Sequence, residues 1–379
     1  MGRKNAFEKQ VMKQFNIDVE ACRRRQQRLV QILAEKGVSG AIVFDNANVQ
    51  WLTGVYFPPV FVSAAYLSVD GSLTLIAPHK APPVAAADRV ERYDAKFHST
   101  MRNDQFVACV QKLREVGGDF SELRVGVEYS HFASHAAANL TDKIVDVEPD
   151  LYQLRRKKEP DELALIKHAI DATGLMYEKA REMIAPGVSE IEVFNELQKT
   201  AVDYFGEPLT GTGNDYQCCS RGGPPRGGRI ANPGELYILD LGPAFRGYFA
   251  DNARTIAVSN ADEKQLQAWD FIMQAFDHVE SATRPGKNCK ELFEEVQAIL
   301  DRSPVGVFNH HLGHGIGLFP HEGPHLNPNW NDTFEVGDVF TAEPGLYDPE
   351  NLRAGMRIEN DYVVTETGVE KLTDFDLSL

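Results

Sequence analysis

Two strand–turn–strand segments between residues 236 and 364 carry carboxylates at their strand ends, and they constrain this chain more than any other feature. Leu236-Tyr-Ile-Leu-Asp240 leads into Pro243-Ala-Phe-Arg-Gly247, which can turn the chain, and Tyr248-Phe-Ala-Asp251 follows. Thr341-Ala-Glu343-Pro-Gly345 leaves a second strand, and Met356-Arg-Ile-Glu359-Asn360 enters another. A hairpin reverses its strands, so Asp240 and Asp251 can lie side by side on one face. Glu343 and Glu359 repeat the arrangement. Facing carboxylates repel unless a cation compensates them. His314 stands in Gly313-His-Gly-Ile-Gly317, where glycines let the backbone approach a site closely. Four carboxylates and one imidazole form a donor set for a pair of divalent cations, two carboxylates bridging and the rest capping the ends. Two cations roughly 3.5–4 Å apart activate a water and polarise a carbonyl together, which makes metal-assisted hydrolysis the leading chemistry. Each residue also has a plainer reading. An Asp at a strand end serves as a turn or cap residue, a Glu before Pro-Gly as a solvated turn, a His between glycines as a loop residue.

The rest of the chain divides by pattern. Residues 18–36 place Cys22, Leu29, Ile32 and Leu33 among charges and stop at Gly37, an amphipathic helix. Gly40-Ala-Ile-Val-Phe44 reads as a buried strand. Residues 63–68 and 72–77 flank Asp70-Gly71, a hairpin signal. Residues 104–116 and 131–141 look helical, with a strand over 122–129 between them, and this alternation indicates an α/β domain. Leu154-Arg-Arg-Lys-Lys-Glu-Pro160 is charged and ends in proline, which predicts a boundary: an α/β domain over residues 1–153 and a catalytic domain over 154–379. Helices are expected over 161–184, from the capping box Ser189-Glu-Ile-Glu192 to about 205, over 262–283 and over 289–302. Strands are expected as the pairs 236–242 with 247–258 and 338–347 with 356–364. Antiparallel strands with segregated helices make the second domain α+β.

The formal net charge of −16 argues against broad nucleic-acid binding and against a polybasic membrane attachment. Five scattered cysteines without C-x-x-C spacing point to a reducing compartment. The segment Met1-Gly-Arg-Lys-Asn-Ala6 has no apolar core, position 6 is neither Ser nor Thr, and no run of 18 apolar residues occurs. A cytoplasmic protein is expected. Adjacent Cys218 and Cys219 read as two small buried residues rather than as a redox element.

These segments resemble the pita-bread-fold metallopeptidases, which include methionine aminopeptidase, prolidase and aminopeptidase P, with creatinase as a non-peptidase relative. Ile238-Leu-Asp240-Leu-Gly242 is similar to the first aspartate motif. Asp251-Asn-Ala-Arg254-Thr255, Gly313-His314-Gly-Ile-Gly317, Glu343-Pro-Gly345 and Arg357-Ile-Glu359 are similar to the others. The likeness extends to Asn48–Gly54, to the entry at Arg155–Glu162 and to Val363-Val-Thr-Glu366, so it spans nearly the whole chain and lies nearest the Xaa-Pro branch. It implies a pita-bread catalytic domain behind a creatinase-like N-terminal domain that caps the cleft. It implies five intact metal ligands, Asp240, Asp251, His314, Glu343 and Glu359. Asp251 and Glu359 would bridge two divalent ions, Asp240 would hold one, and His314 and Glu343 the other. Carboxylate-rich ligation favours manganese, with cobalt, zinc or iron also compatible. Glu343 would shuttle a proton. His321 and His310 match active-site histidines of the Xaa-Pro branch, His321 contacting substrate, and Arg357 matches the arginine that props the last ligand. The resemblance also implies a homodimer acting on a small peptide or amide.

One position departs from the family pattern. A substrate-side histidine is usual 17 or 18 residues before the first metal aspartate, and this window reads Cys219-Ser-Arg221-Gly-Gly-Pro-Pro-Arg226-Gly-Gly-Arg229. Either Arg221, Arg226 or Cys219 takes a related role, with arginine reading a substrate carboxylate, or the substrate is not an ordinary Xaa-Pro peptide. The leading expectation is therefore a dinuclear Xaa-Pro dipeptidase or aminopeptidase. The alternative is a small-molecule C–N hydrolase or lyase of the same fold, creatinase-like or osmolyte-degrading, and a third is a binding protein that reuses the fold.

Overall fold

Asp18 opens the first described helix by accepting a hydrogen bond from the Ala21 amide, and the helix runs over Val19–Glu35. The computed structural model describes residues 15, 17–101 and 104–379, and the chain divides into two compact units, Met1–Arg155 and Arg156–Leu379. In the first helix Cys22, Leu29 and Leu33 are buried as expected, and Ile32 is half-buried. Arg25 and Gln26 are buried as well. Burial of these polar groups is tolerated because they bond to main chain: Arg25 Nε donates to the Trp51 carbonyl at 2.8 Å, and Gln26 Nε2 to those of Leu52 and Ala86 at 2.8 Å.

The first unit is built on a six-stranded sheet in the order Arg89–Tyr93, Leu73–Pro78, Ala64–Ser68, Gly40–Val43, Val125–Val127, Ile144–Asp146. The Asp70-Gly71 hairpin forms, with Leu67 opposite Leu73 and Gly71 at φ 89°. The helix expected over 104–116 is Gln105–Gly117, whereas the segment 131–141 gives only the short helix Ser134–Asn139. Ile42, Ile76, Val110, Leu113 and Phe120 share one core with strand Val125–Val127. Each such side chain contributes roughly 1.5–3 kcal/mol by burial.

The second unit is α+β. Helices Pro160–Met183 and Glu190–Phe205 pack on each other, as do Glu263–Ala282 and Cys289–Leu300. Leu236–Leu241 is the central strand of a three-stranded sheet, between Asn252–Ala257 and Asp215–Cys218. A five-stranded sheet runs Glu322–Leu326, Gly313–Gly315, Val339–Ala342, Asn360–Val364, Val369–Lys371. Two expectations need correction. The capping box at Ser189 does not form: Ser189 stands at the N-cap of the helix but makes no side-chain cap hydrogen bond, while Glu190 accepts from the Cys218 and Arg226 amides. The second predicted hairpin is two hairpins: Val339–Ala342 pairs with Asn360–Val364, and Gly345–Asp348 with Ala354–Arg357. Pro344 lies between them and lacks the amide that would continue the ladder.

Candidate metal centre

The strand ends deliver the carboxylates. Asp240 lies opposite Ala253 in the antiparallel ladder, so Asp251 is its diagonal neighbour on the same face. Ala342 lies opposite Asn360, so Glu343 and Glu359 are the next facing pair, just where the second hairpin divides. His314 is held in the strand Gly313–Gly315 opposite His325. Its flanking glycines are steric requirements. A Cβ on Gly313 would stand 1.9 Å from the Thr341 carbonyl oxygen, and one on Gly315 2.0 Å from that of Gly323.

Asp240, Asp251, His314, Glu343 and Glu359 all line one cavity of about 240 Å³, with Asn214, Asp215, Arg221, His310, His311, His321, Tyr347 and Arg357. Their ligand atoms fall into groups within 4.8 Å of one another: Asp240, Asp251 and Glu359; His311, His314 and Glu343; Asp251, His314 and His321. Asp251 and His314 each belong to two groups, and of the two only the carboxylate has a second oxygen with which to bridge. His314 Nδ1 lies 3.1 Å from the Gly315 carbonyl oxygen, and its Nε2 stands 3.7 Å from both Asp251 Oδ2 and Glu343 Oε1. This leaves Nε2 facing the carboxylates, as a ligand nitrogen must.

The electrostatics fit a cation. Burial, then the neighbouring carboxylates, raise Asp251 and Glu359 well above the usual carboxylate range. Burial pushes Asp240 up to about 6 against the pull of Arg357. Burial would also raise Glu343, yet His311, His314 and His310 hold it at about 2. Burial lowers His314 to about 4, so it is neutral at pH 7, the state that binds a metal. Glu359 Oε2 is buried without a hydrogen-bond partner. An orphaned carboxylate oxygen among three other carboxylates is what a divalent ion would satisfy.

A support layer surrounds the donors. Arg357 Nη2 donates to Asp240 Oδ2 at 2.8 Å and to Asp215, and Nη1 donates to Tyr347 Oη at 3.0 Å. So Arg357 grips the first aspartate, Asp240, and not Glu359, the expected last ligand. The backbone at Glu359 is held by Arg254, whose Nη1 donates to the Glu359 carbonyl at 2.6 Å and Nη2 to Asn360 Oδ1 at 2.9 Å. Thr255 Oγ1 donates to the Arg357 carbonyl at 2.9 Å and accepts from the Arg357 amide at 3.0 Å. His321 stacks on His314 with ring centroids 3.8 Å apart. His310 shares a 3.1 Å hydrogen bond with Tyr347 Oη, and His311 Nε2 lies 2.6 Å from Glu343 Oε1.

The expected substrate-side residues therefore divide. His310, His321, Arg357 and Arg221 line the cavity. Arg226 does not: its Nη2 and Nε bond Glu190 at 2.7 and 3.1 Å, so this arginine buttresses the loop. Cys218 is buried with its thiol 3.3 Å from Glu190 Oε1, and Cys219 is half-buried. Sequence reading missed Asp215, Asn214 and Tyr347 and gave His311 no role. Tyr347 stands four residues beyond Glu343, an inconspicuous signal, and Asp215 meets Arg357 across 142 residues.

A family model described as metallopeptidase family M24 matches residues 164–366, more than half of the chain. The chain belongs to metallopeptidase family M24. A second model, the creatinase/prolidase N-terminal domain, matches residues 25–157. The uncharacterized peptidase YqhT of Bacillus subtilis (strain 168) is 26% identical over 360 residues, covering 92% of this chain and 97% of that protein. The Xaa-Pro dipeptidase of Pyrococcus horikoshii is 26% identical over 371 residues, covering 93% and 97%. Among solved structures, the prolidase from Pyrococcus horikoshii OT3 superposes with a TM-score of 0.77 at 23% identity, covering 94% of this chain and all of that one, 100%. The Xaa-Pro dipeptidase from Bacillus anthracis gives 0.78 at 22%, covering 94% and 99%. The architecture is thus a pita-bread catalytic domain behind a creatinase-type N-terminal domain, in a family of metal-dependent peptidases. No helix among the described residues is long and apolar enough to cross a membrane.

Proposed function

We propose that this M24 member is a dinuclear metallohydrolase that cleaves an amide bond, with Xaa-Pro dipeptides as the first substrates to test. The carrying observation is the convergence of all five donors on one cavity, with Glu359 Oε2 left without a partner. Full-length likeness to an Xaa-Pro dipeptidase supports the substrate choice. Asp240, Asp251, His314, Glu343 and Glu359 would hold the ions, manganese first among them, since oxygen donors predominate. Bound there, two divalent ions lower the pKa of a water and polarise the scissile carbonyl.

The remaining work belongs to the chain. Glu343 takes a proton from the attacking water and delivers it to the leaving nitrogen, and His311 Nε2, 2.6 Å from Glu343 Oε1, orients that carboxylate. His321, fixed by its stack on His314, offers a ring nitrogen to the substrate oxygen. Arg357 keeps Asp240 in place and, through Tyr347, ties His310 to the same network. A cytoplasmic homodimer is part of the proposal.

The test is turnover of a panel of Xaa-Pro dipeptides, other dipeptides and cyclic amides, each with manganese, cobalt, zinc and iron. Hydrolysis of Xaa-Pro dipeptides with manganese or cobalt is expected. The second reading, a small-molecule C–N hydrolase or lyase, is favoured by the arginine-bearing loop at 219–229, which holds no histidine. It wins if only the cyclic or non-peptide amides turn over. Metal binding without any turnover would leave neither.

A further inference from the structure

The cavity wall carries two guanidinium groups with different partners. Arg357 is taken up by Asp215, Asp240 and Tyr347. Arg221 makes no ion pair with a carboxylate among the described residues. Its guanidinium carbon lies 3.8 Å from the centroid of the Tyr347 ring, and Nη2 donates to Asn309 Oδ1 at 2.7 Å. The neighbouring arginines of the same loop are consumed, Arg226 by Glu190 and Arg229 by Glu235. Arginine has five donors in a planar fork. Stacking on Tyr347 occupies the face of that fork and leaves most of its edge for a ligand.

The turn that carries Arg221 is built to hold it. The Tyr216 amide donates to the Gly223 carbonyl at 2.8 Å, and the Gly223 amide to Asp215 Oδ1 at 2.6 Å. Arg357 Nη1 donates to the Arg221 carbonyl at 3.3 Å. Gly222 adopts φ 131°, and a Cβ there would meet Asp215 Oδ2 at 2.1 Å. Cys219 takes φ 49°, a conformation that a side chain disfavours and that persists only where the surroundings impose it. Asp215 and Arg357, which reach the donor Asp240, therefore also fix the backbone beneath Arg221.

We propose that Arg221 is the carboxylate receptor of this cavity and that it selects amides whose leaving amine is an α-amino acid with a free carboxylate. The inference rests on the hydrolase reading and narrows its substrate class. Dipeptides and N-acyl amino acids place a carboxylate one residue from the scissile nitrogen, where dipeptide amides place a neutral group. A guanidinium fork receives that carboxylate bidentately.

Isothermal titration of the metal-loaded full chain with L-proline and with L-prolinamide tests this. The wild type binds proline, and Arg221→Ala weakens it about 10- to 100-fold, the range of a charge-assisted pair, while prolinamide affinity shifts far less. Arg221→Lys falls between, because it keeps the charge and loses the fork. Equal proline affinity in wild type and Arg221→Ala overturns the proposal, as does absence of proline binding to the wild type. An equal loss for both ligands overturns it too, since it would make Arg221 a prop for Tyr347. Parallel kcat/KM values on a dipeptide and its amide separate the two readings. Turnover without preference for the free acid in the wild type sinks the receptor and leaves the hydrolase. Arg221-dependent proline binding without turnover of any amide sinks the hydrolase and leaves the receptor.

Discussion

Thr255 is absent from the cavity wall, yet its hydroxyl both donates to and accepts from the Arg357 backbone, and so places the arginine that grips Asp240. Thr255→Val keeps the shape and leaves the Arg357 amide without its acceptor, at a cost of about 1–3 kcal/mol in urea unfolding. A change below about 0.5 kcal/mol would mean that the hydroxyl is dispensable. Asp251 belongs to two donor groups, so Asp251→Ala should abolish activity and bound metal together, read by elemental analysis beside dipeptide turnover. Retained activity with metal still bound would defeat the five-donor assignment. That the five candidate donors could meet was legible, because the four carboxylates stand at the ends of strand pairs and His314 stands between glycines, and all five line one cavity. Asp215 was not, because its role exists only once residues 142 positions apart meet. Arg226 was misread for a related reason: its basic, glycine-rich surroundings look available, and only folding supplies Glu190.

At the scale of elements, the histidine strand is the tightest part of the centre. Gly315→Ala would set a methyl 2.0 Å from the Gly323 carbonyl oxygen, and backbone must move to admit it. A loss of at least ~2 kcal/mol in unfolding free energy is expected, with weaker metal retention; a silent substitution would mean the strand can slide. In the N-terminal unit, Glu128 accepts from the Phe44 amide at 2.7 Å and from Asn48 Nδ2 at 2.8 Å. Burial nevertheless raises it from 4.5 to about 7. A carboxyl raised in the folded state stabilises fully below about pH 4.5, and that contribution is lost as pH rises through about 7. The window spans roughly 2.5 pH units, worth about 3 kcal/mol. Urea unfolding between pH 4.5 and 7.5 should show this decline, and Glu128→Gln should flatten it; parallel curves would reject the assignment. Helix and hairpin positions were largely readable from period and punctuation. The failures were local: Ser189 caps its helix without a side-chain hydrogen bond, and the second hairpin divided where Pro344 interrupts the ladder.

For the whole molecule, the α/β unit and the α+β unit meet in sequence between Arg155 and Arg156, within the charged stretch that ends at Pro160. A change of character there was visible in the sequence, because charge and proline punctuate the chain over 154–160. The substrate was not, because the loop over 219–229, proposed to set specificity, holds glycines and arginines that follow no periodicity. Three carboxyls raised by burial and by one another stand together in the cavity, so without a cation they are held toward the neutral form, and a divalent ion bound there would favour their ionised form. Two catalytic cations are the proposed occupants of this cluster. The most direct test is titration of chelator-treated protein with manganese, reading bound metal and Xaa-Pro dipeptide hydrolysis on the same samples. Activity, absent at the start, should rise with metal and level off at two ions per chain. Hydrolysis by metal-free protein, or saturation with no turnover of any amide in the panel, would contradict that proposal.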